Sequence, residues 1–230
     1  MKNHSETKII LSERQKAILT EVGLPTEYEA LTRTRKKAIV AIEEMLQAVE
    51  QKYDRAFAYA GYIAKGVLEP EQLWAYPVDG HRETETFVVT RKTVDGEIVY
   101  QDTHLLIAAK DKFSQYVKTA LTAMTGLSEI KVFSKLTKLT TQSVPESHEA
   151  FDGHTSAEMW VFFDGASCSA ERLQEIIRDF ENWKQKHGIY GMVQYILLHE
   201  TVLPSLTQYN YTNYLAKQDY LAREFSHANH

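Results

Sequence analysis

The chain has 230 residues, of which 43% are apolar and 25% charged, ordinary usage for a globular protein and too apolar for chain-wide disorder. That length holds one medium domain or two small ones, and it buries a core without disulfides or metals. The formal net charge is −5, from 26 basic and 31 acidic residues, so phosphate finds no global attraction and nucleic acid is disfavoured as a partner.

Residues 1–8 read as a frayed tail. Ser12 caps a short helix to about Val22, where Gly23 supplies a left-handed stop and Pro25 blocks continuation. Thr26 with Glu29 makes a capping-box pattern for a second helix. Leu31, Ile39, Ile42, Met45, Leu46, Val49 and Tyr53 then recur at three- and four-residue steps, which predicts one core-facing helix over 27–53. The period changes at Phe57, and 57–63 reads as a strand. Pro70 to Leu73 reads as a single turn, and 73–76 and 86–90 as further strands. Asp95-Gly96 between β-formers signals a hairpin whose second strand spans 97–101. Leu105 to Ala109 reads as another buried strand. Asp111 then caps a helix striped by Phe113, Tyr116, Val117, Ala120, Leu121 and Met124, which Gly126 ends, and Ile130 to Leu136 alternates like a strand.

Residues 138–156 are rich in Thr, Ser, Glu, Gln and His, with Pro145 and Gly153, and read as a linker or long loop. Met159 to Phe163 is an apolar strand. Ser167 or Ser169 opens a helix striped by Leu173, Ile176, Ile177, Phe180, Trp183 and His187, and Gly188 closes it. Met192 to Leu198 is the next strand, completing a β-α-β unit with a right-handed crossover if the strands are parallel neighbours. A last helix is expected from about Thr212 to Phe225, with a loose tail at 226–230.

The expected fold is α+β: an N-terminal helical hairpin followed by two β-α-β-containing halves on mixed sheets. Its expected parts are a helical segment at 1–55 packed on the rest, a first α/β half at 56–137, the linker or long loop at 138–156, and a second α/β half with a C-terminal helix at 157–230. Asp79-Gly80-His81 is followed by Glu85, Phe87 and Val88, and Asp152-Gly153-His154 by Glu158, Trp160 and Val161 at the same offsets. That window raises a diverged internal duplication, although Asp-Gly is common in turns.

No Gly-rich phosphate loop, H-E-x-x-H, G-x-S-x-G or paired C-x-x-C is present. Cys168 is the single cysteine, which excludes an intrachain disulfide and fits a reducing compartment. The first residues lack the apolar region of a signal peptide, and no apolar run reaches the length of a membrane span, so a cytoplasmic location and no membrane contact are expected. No cofactor is implied.

Four residue groups stand out. Cys168 precedes a helix whose free amides favour a thiolate, and His199 follows the next strand. With Asp164 and Glu200 beside them, they form a candidate nucleophilic pair at one sheet edge; a buried small residue and a surface His-Glu pair explain the same letters. His81, Glu83 and Glu85, with Asp79, share one face of an extended segment and are candidate ligands for a divalent cation; a charged strand edge is the plainer account. Arg33, Arg35, Lys36 and Lys37 form a basic run on the long helix, balanced by Glu43, Glu44 and Glu50. Tyr209, Tyr211, Tyr214 and Tyr220 are candidate partner-binding residues, because tyrosine suits interfaces. The loop residues His148, Glu149, Asp152 and His154 read as solvated.

The reading that fits these features is a protein-interaction module of the accessory, inhibitor or immunity type. It meets another protein through a sheet edge or the 209–220 aromatics, and self-association is open to it. The alternatives are an enzyme or redox protein using Cys168 and His199, and a metal or small-molecule sensor.

Overall fold

The computed structural model describes residues 9–66 and 69–226, so the expected tail at 1–8 and all but Ser226 of the one at 226–230 lie outside the described residues; Ser226 itself ends a strand. The chain forms two compact units, Met1–Thr103 and His104–His230. The boundary therefore falls between Thr103 and His104 rather than in 138–156. Residues 138–156 cannot separate domains, because they join two strands that pair with each other.

In the first unit, α1 (Glu13–Glu21) starts at a capping box in which Ser12 and Gln15 bond each other's backbone. Thr26 and Glu29 do not begin the second helix. A short 3-10 turn occupies Tyr28–Ala30, and Thr32 caps α2 (Arg33–Tyr53). Arg14 of α1 bridges Glu43 at 2.7 Å and Glu50 at 2.6 Å on α2. The helical periodicity of α2 buries Ile39, Ile42, Met45, Leu46 and Val49. That stripe meets a four-stranded antiparallel meander, β1 (Phe57–Ile63), β2 (Glu71–Pro77), β3 (Phe87–Val94) and β4 (Glu97–Asp102), in that order. Alternation along β2 and β3 buries Leu73, Ala75, Phe87 and Val89. Pro70 to Leu73 is not a turn, since Glu71 already begins β2. Asp95 (φ 51°) and Gly96 (φ 86°) make the left-handed two-residue turn between β3 and β4.

The second unit opens with α4 (His104–Thr125), numbered after the four-residue α3 (Arg82–Glu85) of the first unit. Leu105 to Ala109 is thus the start of a helix and not a strand. The expected strand-helix-strand at 105–136 is a helix followed by a strand, and in the first unit the short α3 joins β2 and β3 as antiparallel neighbours. The mixed sheet runs β5 (Ile130–Leu139), β6 (Thr155–Asp164), β8 (Val193–Leu198) and β9 (Ala222–Ser226), with β7 (Ile189–Tyr190) beside β6. β5 and β6 are antiparallel, while β6 and β8 are parallel and joined through α5 (Ala170–Lys186), as the β-α-β reading expected. On one face Phe113, Val117 and Leu121 of α4 and Leu173, Ile176 and Phe180 of α5 pack on Met159, Val161, Phe163, Val193 and Tyr195. On the other, Phe162, Ile196 and Leu198 are covered by Leu203 and Leu206 and by Tyr211, Tyr214 and Leu215. Both faces of the central strands are dry, which is why all of Val193–Leu198 is buried.

The expected helix to Phe225 is two elements. α6 (Tyr211–Lys217) stops at Gln218, whose φ is 54°, and β9 follows. The repeated Asp-Gly-His windows fold differently. The first leads into α3, whereas the second leads straight into β6 with Gly153 at φ 71°. No helix among the described residues is long and apolar enough to cross a membrane.

Candidate functional site

The β-α-β unit brings the ends of β6 and β8 level, with Asp164 opposite Leu198. Cys168 and His199 therefore leave the same sheet edge, as expected, yet their side chains take separate roles. Cys168 is 3% exposed and belongs to the core between the sheet and its helices. Its Sγ lies 3.5 Å from the Ser169 carbonyl oxygen. Burial pushes the thiol above its ordinary range, against a smaller opposite pull from Arg172. His199 is half exposed and lies 3.6 Å from Asp219. Asp164 accepts a bond from the Ala166 amide at 2.9 Å and so shapes its own turn, and Glu200 is exposed. Native Cys168 is accordingly expected to react with a thiol reagent at least about tenfold more slowly than free cysteine near neutral pH. Denaturant is expected to release it. Timed reaction with a chromogenic disulfide checks this, and a fast native reaction with an acid-shifted profile would restore the nucleophile reading.

His81, Glu83 and Glu85 do not share an extended face. Residues 82–85 form a helical turn, and the Glu85 carboxylate folds back to accept from the His81 amide at 3.1 Å. No group of three or more metal-ligating side chains converges among the described residues. The basic run also meets partners. Lys36 pairs with Glu29 at 2.8 Å and sits over the Tyr28 ring. The adjacent cleft of about 420 Å³ is lined by Lys36, Lys37 and Arg91, but also by Glu44 and Glu71, which hold Arg91 at 3.0 and 3.4 Å.

Three of the four tyrosines face inward. Tyr211 stacks on Phe133 at 4.7 Å and lies 5.3 Å from Trp160. The Tyr214 hydroxyl bonds Ser205 at 3.1 Å, and Tyr220 packs against the second face of the sheet with Arg223 near its ring. Only Tyr209 is exposed, at 49%. These rings cover a core face, which accounts for their density.

The 138–156 loop is less solvated than its composition implied. The Tyr116 hydroxyl donates to Asp152 Oδ1 at 2.7 Å, and His187 Nδ1 lies 2.8 Å from Asp152 Oδ2. A carboxylate acceptor places the imidazole proton on Nδ1. Burial, then the bond to Asp152, holds the Tyr116 phenol above its ordinary range. His148 stacks on Tyr116 at 5.1 Å, and Trp183 lies 4.6 Å from His187. This cluster fastens the loop to α4 and to the end of α5. Nothing local signals it, since the three partners are 35 or more positions apart in sequence.

The remaining feature is a strand edge. A sheet edge offers unpaired backbone groups, and proteins blunt it with bulges, lysines, prolines or shortness. β1 carries a bulge between Tyr59 and Gly61. β5 carries another between Leu136 and Lys138, along with Lys131 and Lys135. β9 has five residues and includes Arg223 and Glu224. β4, one residue longer than β9, has no bulge, lysine or proline. It runs Glu-Ile-Val-Tyr-Gln-Asp in unbroken register with β3, and Ile98 and Val99 are 50% and 38% exposed.

No protein-family model and no curated protein matches the sequence. Among solved structures, the chain is similar to a DUF5037 family protein from Ruminococcus gnavus ATCC 29149. The two are 10% identical, the match covers 81% of this chain and 89% of that chain, and the TM-score is 0.41. A likeness at that score assigns no function.

The β4 edge is flanked by a firm support. Lys52 at the end of α2 pairs with Asp102 at 2.7 Å, and the Tyr53 hydroxyl donates to the same carboxylate at 2.7 Å. The far end of β4 is thereby fixed to a helix. The near end is fixed by the Asp95-Gly96 turn. A strand held at both ends is pre-organised as a template, so an added strand loses little to ordering it.

Proposed function

We propose that this protein is an interaction module that recognises an extended segment of another polypeptide by strand addition at β4. The observation that carries the reading is the character of the β4 edge: it runs in unbroken register with β3, has no bulge, lysine or proline, and exposes the adjacent apolar residues Ile98 and Val99. Strand addition uses backbone bonds for affinity and alternate side chains for specificity. Ile98 and Val99 point to opposite faces of the sheet, so both faces of an added strand meet an apolar contact. The acidic net charge and the absence of catalytic motifs agree with a binding role, and the single cysteine suits a cytoplasmic one.

A photo-crosslinking residue placed at Val99 tests this in lysate of the native cells. Covalent adducts are expected from that position and are expected to disappear in an Ile98→Pro background. Proline there removes an edge donor that does not serve the β3 ladder, so circular dichroism should stay unchanged. A folded protein that yields no adduct from position 99 would overturn the reading.

A further inference from the structure

We propose that the strand added at β4 is β4 of a second copy of this chain, paired antiparallel about a two-fold axis through Val99. The inference rests on the strand-addition reading and names its partner. The hydrogen-bond alternation of the hairpin sets the geometry. Val94 and Glu97 close the two-residue turn, and the Thr103 amide bonds the Val88 carbonyl at 3.0 Å at the far end. In an antiparallel ladder the bonded pairs alternate. Glu97, Val99 and Gln101 therefore turn their backbone groups toward β3. Ile98, Tyr100 and Asp102 turn theirs outward.

A two-fold axis must pair outward residues with outward residues. Setting Ile98 against Tyr100 of the second copy, and Tyr100 against its Ile98, does so twice and makes about four backbone hydrogen bonds. Each of those pairs joins a β-branched side chain to an aromatic ring, a favourable cross-strand combination. An axis through Tyr100 would instead set Ile98 against Asp102, whose carboxylate already serves Lys52 and Tyr53. With the axis at Val99, Glu97 lies opposite Gln101 of the second copy. Lys92 reaches that glutamine, with Nζ 2.9 Å from Oε1, and Lys92 is exposed on the same face as Val99. Each Glu97 carboxylate thus meets a Lys92 ammonium from the other copy, giving charge complementarity twice over. The pairing is isologous and uses up both β4 edges, so it closes at a dimer instead of extending into a fibre.

Light scattering of the purified chain over a range of concentrations is expected to show the mass rising from 26.4 kDa to twice that value. Glu97→Lys and Lys92→Glu are each expected to weaken dimerisation about tenfold, and the double exchange to restore it. Register is read with introduced thiols, because native Cys168 is buried. Val99 faces its own copy across a pair without backbone bonds, where α-carbons approach to about 4.5 Å, within disulfide range. Val99→Cys is expected to give a covalent dimer under mild oxidation. Ile98→Cys is not, since its own copy lies on the diagonal, about 7–8 Å away. A folded chain that stays monomeric, or a dimer in which Ile98→Cys crosslinks as readily as Val99→Cys, overturns the proposal. Adducts of another mass from position 99 would then show strand addition surviving with a different partner.

Discussion

Gly191→Ala is expected to destabilise the protein by at least about 3 kcal/mol, the upper part of the range for single substitutions. Gly191 lies in the turn between β7 and β8, with φ at 109°. Side chains rarely adopt that backbone, and residues forced there cost on the order of 1–3 kcal/mol. Space makes matters worse. A β-carbon at this position would stand 2.0 Å from the Ala157 carbonyl oxygen and 2.9 Å from its carbonyl carbon. Those atoms are backbone of the central strand β6, so relief requires separating β6 from the chain entering β8. The urea midpoint, followed by circular dichroism with an unchanged denaturant slope, measures the loss. A midpoint within experimental scatter of the wild type would mean that the turn re-forms by another path.

Lys184→Ala is expected to cost about 3 kcal/mol. Lys184 is 1% exposed, and its ammonium meets two partners, Glu181 Oε2 at 3.0 Å and the Gly191 carbonyl oxygen at 3.2 Å. Glu181 also accepts from the Tyr195 hydroxyl at 2.7 Å and from the Ser226 hydroxyl, which ties α5 to β8 and β9. Burial holds the Lys184 ammonium below its ordinary range, against the opposite effect of Glu181. Removing one partner of a buried pair costs about 3–5 kcal/mol, and the low end applies because Glu181 is 28% exposed. Lys184→Met keeps the apolar stem and should lose roughly half as much. Combining Lys184→Met with Glu181→Gln should recover part of that loss, because no uncompensated charge is left. A double variant no better than Lys184→Met alone would show that the Gly191 carbonyl bond, and not the ion pair, is what matters.

The two substitutions converge on one place, the turn that feeds β8 beside β6. Parallel strands cannot be joined by a hairpin, so their alignment depends on how the crossover helix ends and how the chain re-enters the sheet. Lys184 holds that re-entry from the helix side, and Gly191 permits its close approach to Ala157. The alignment in turn sets Asp164 level with Leu198, and so decides which loops share the sheet edge.

Periodicity alone identifies α2 and α5, because their apolar stripes are long enough to exclude a strand. Local chemistry likewise identifies the Ser12 cap and the Asp95-Gly96 hairpin and narrows the α5 cap to Ser167 or Ser169, since caps and tight turns are decided within a few residues. Short stretches behave otherwise. Leu105 to Ala109 suits a buried strand or a helix equally well, and only continuity with the stripe at Phe113 and Val117 makes it the start of α4. Residues 222–226 look like the end of a helix until Gln218 takes a left-handed turn and β8 offers an open edge to pair with.

The candidate sites divide along the same line. Which side chains carry chemistry can be read from their letters, so Cys168, His199, His81 and the tyrosines were visible as types. Where each side chain points depends on tertiary packing. Packing draws Cys168 into a core and lays Tyr211 on Phe133, while a local helical turn brings Glu85 back to the His81 amide. The β4 edge lies at the opposite extreme. Its alternation and its turn are written in seven consecutive residues, Asp95 to Gln101. That it ends a sheet among the described residues is a property of strand order, which no short stretch of sequence carries. The sequence by itself determined the long stripes of α2 and α5, the Ser12 cap and the Asp95-Gly96 turn, because those depend on repeated or near-neighbour signals. Only the tertiary structure decided the sheet order, the burial of the thiol and the exposed edge, because each depends on distant segments competing for the same apolar surface.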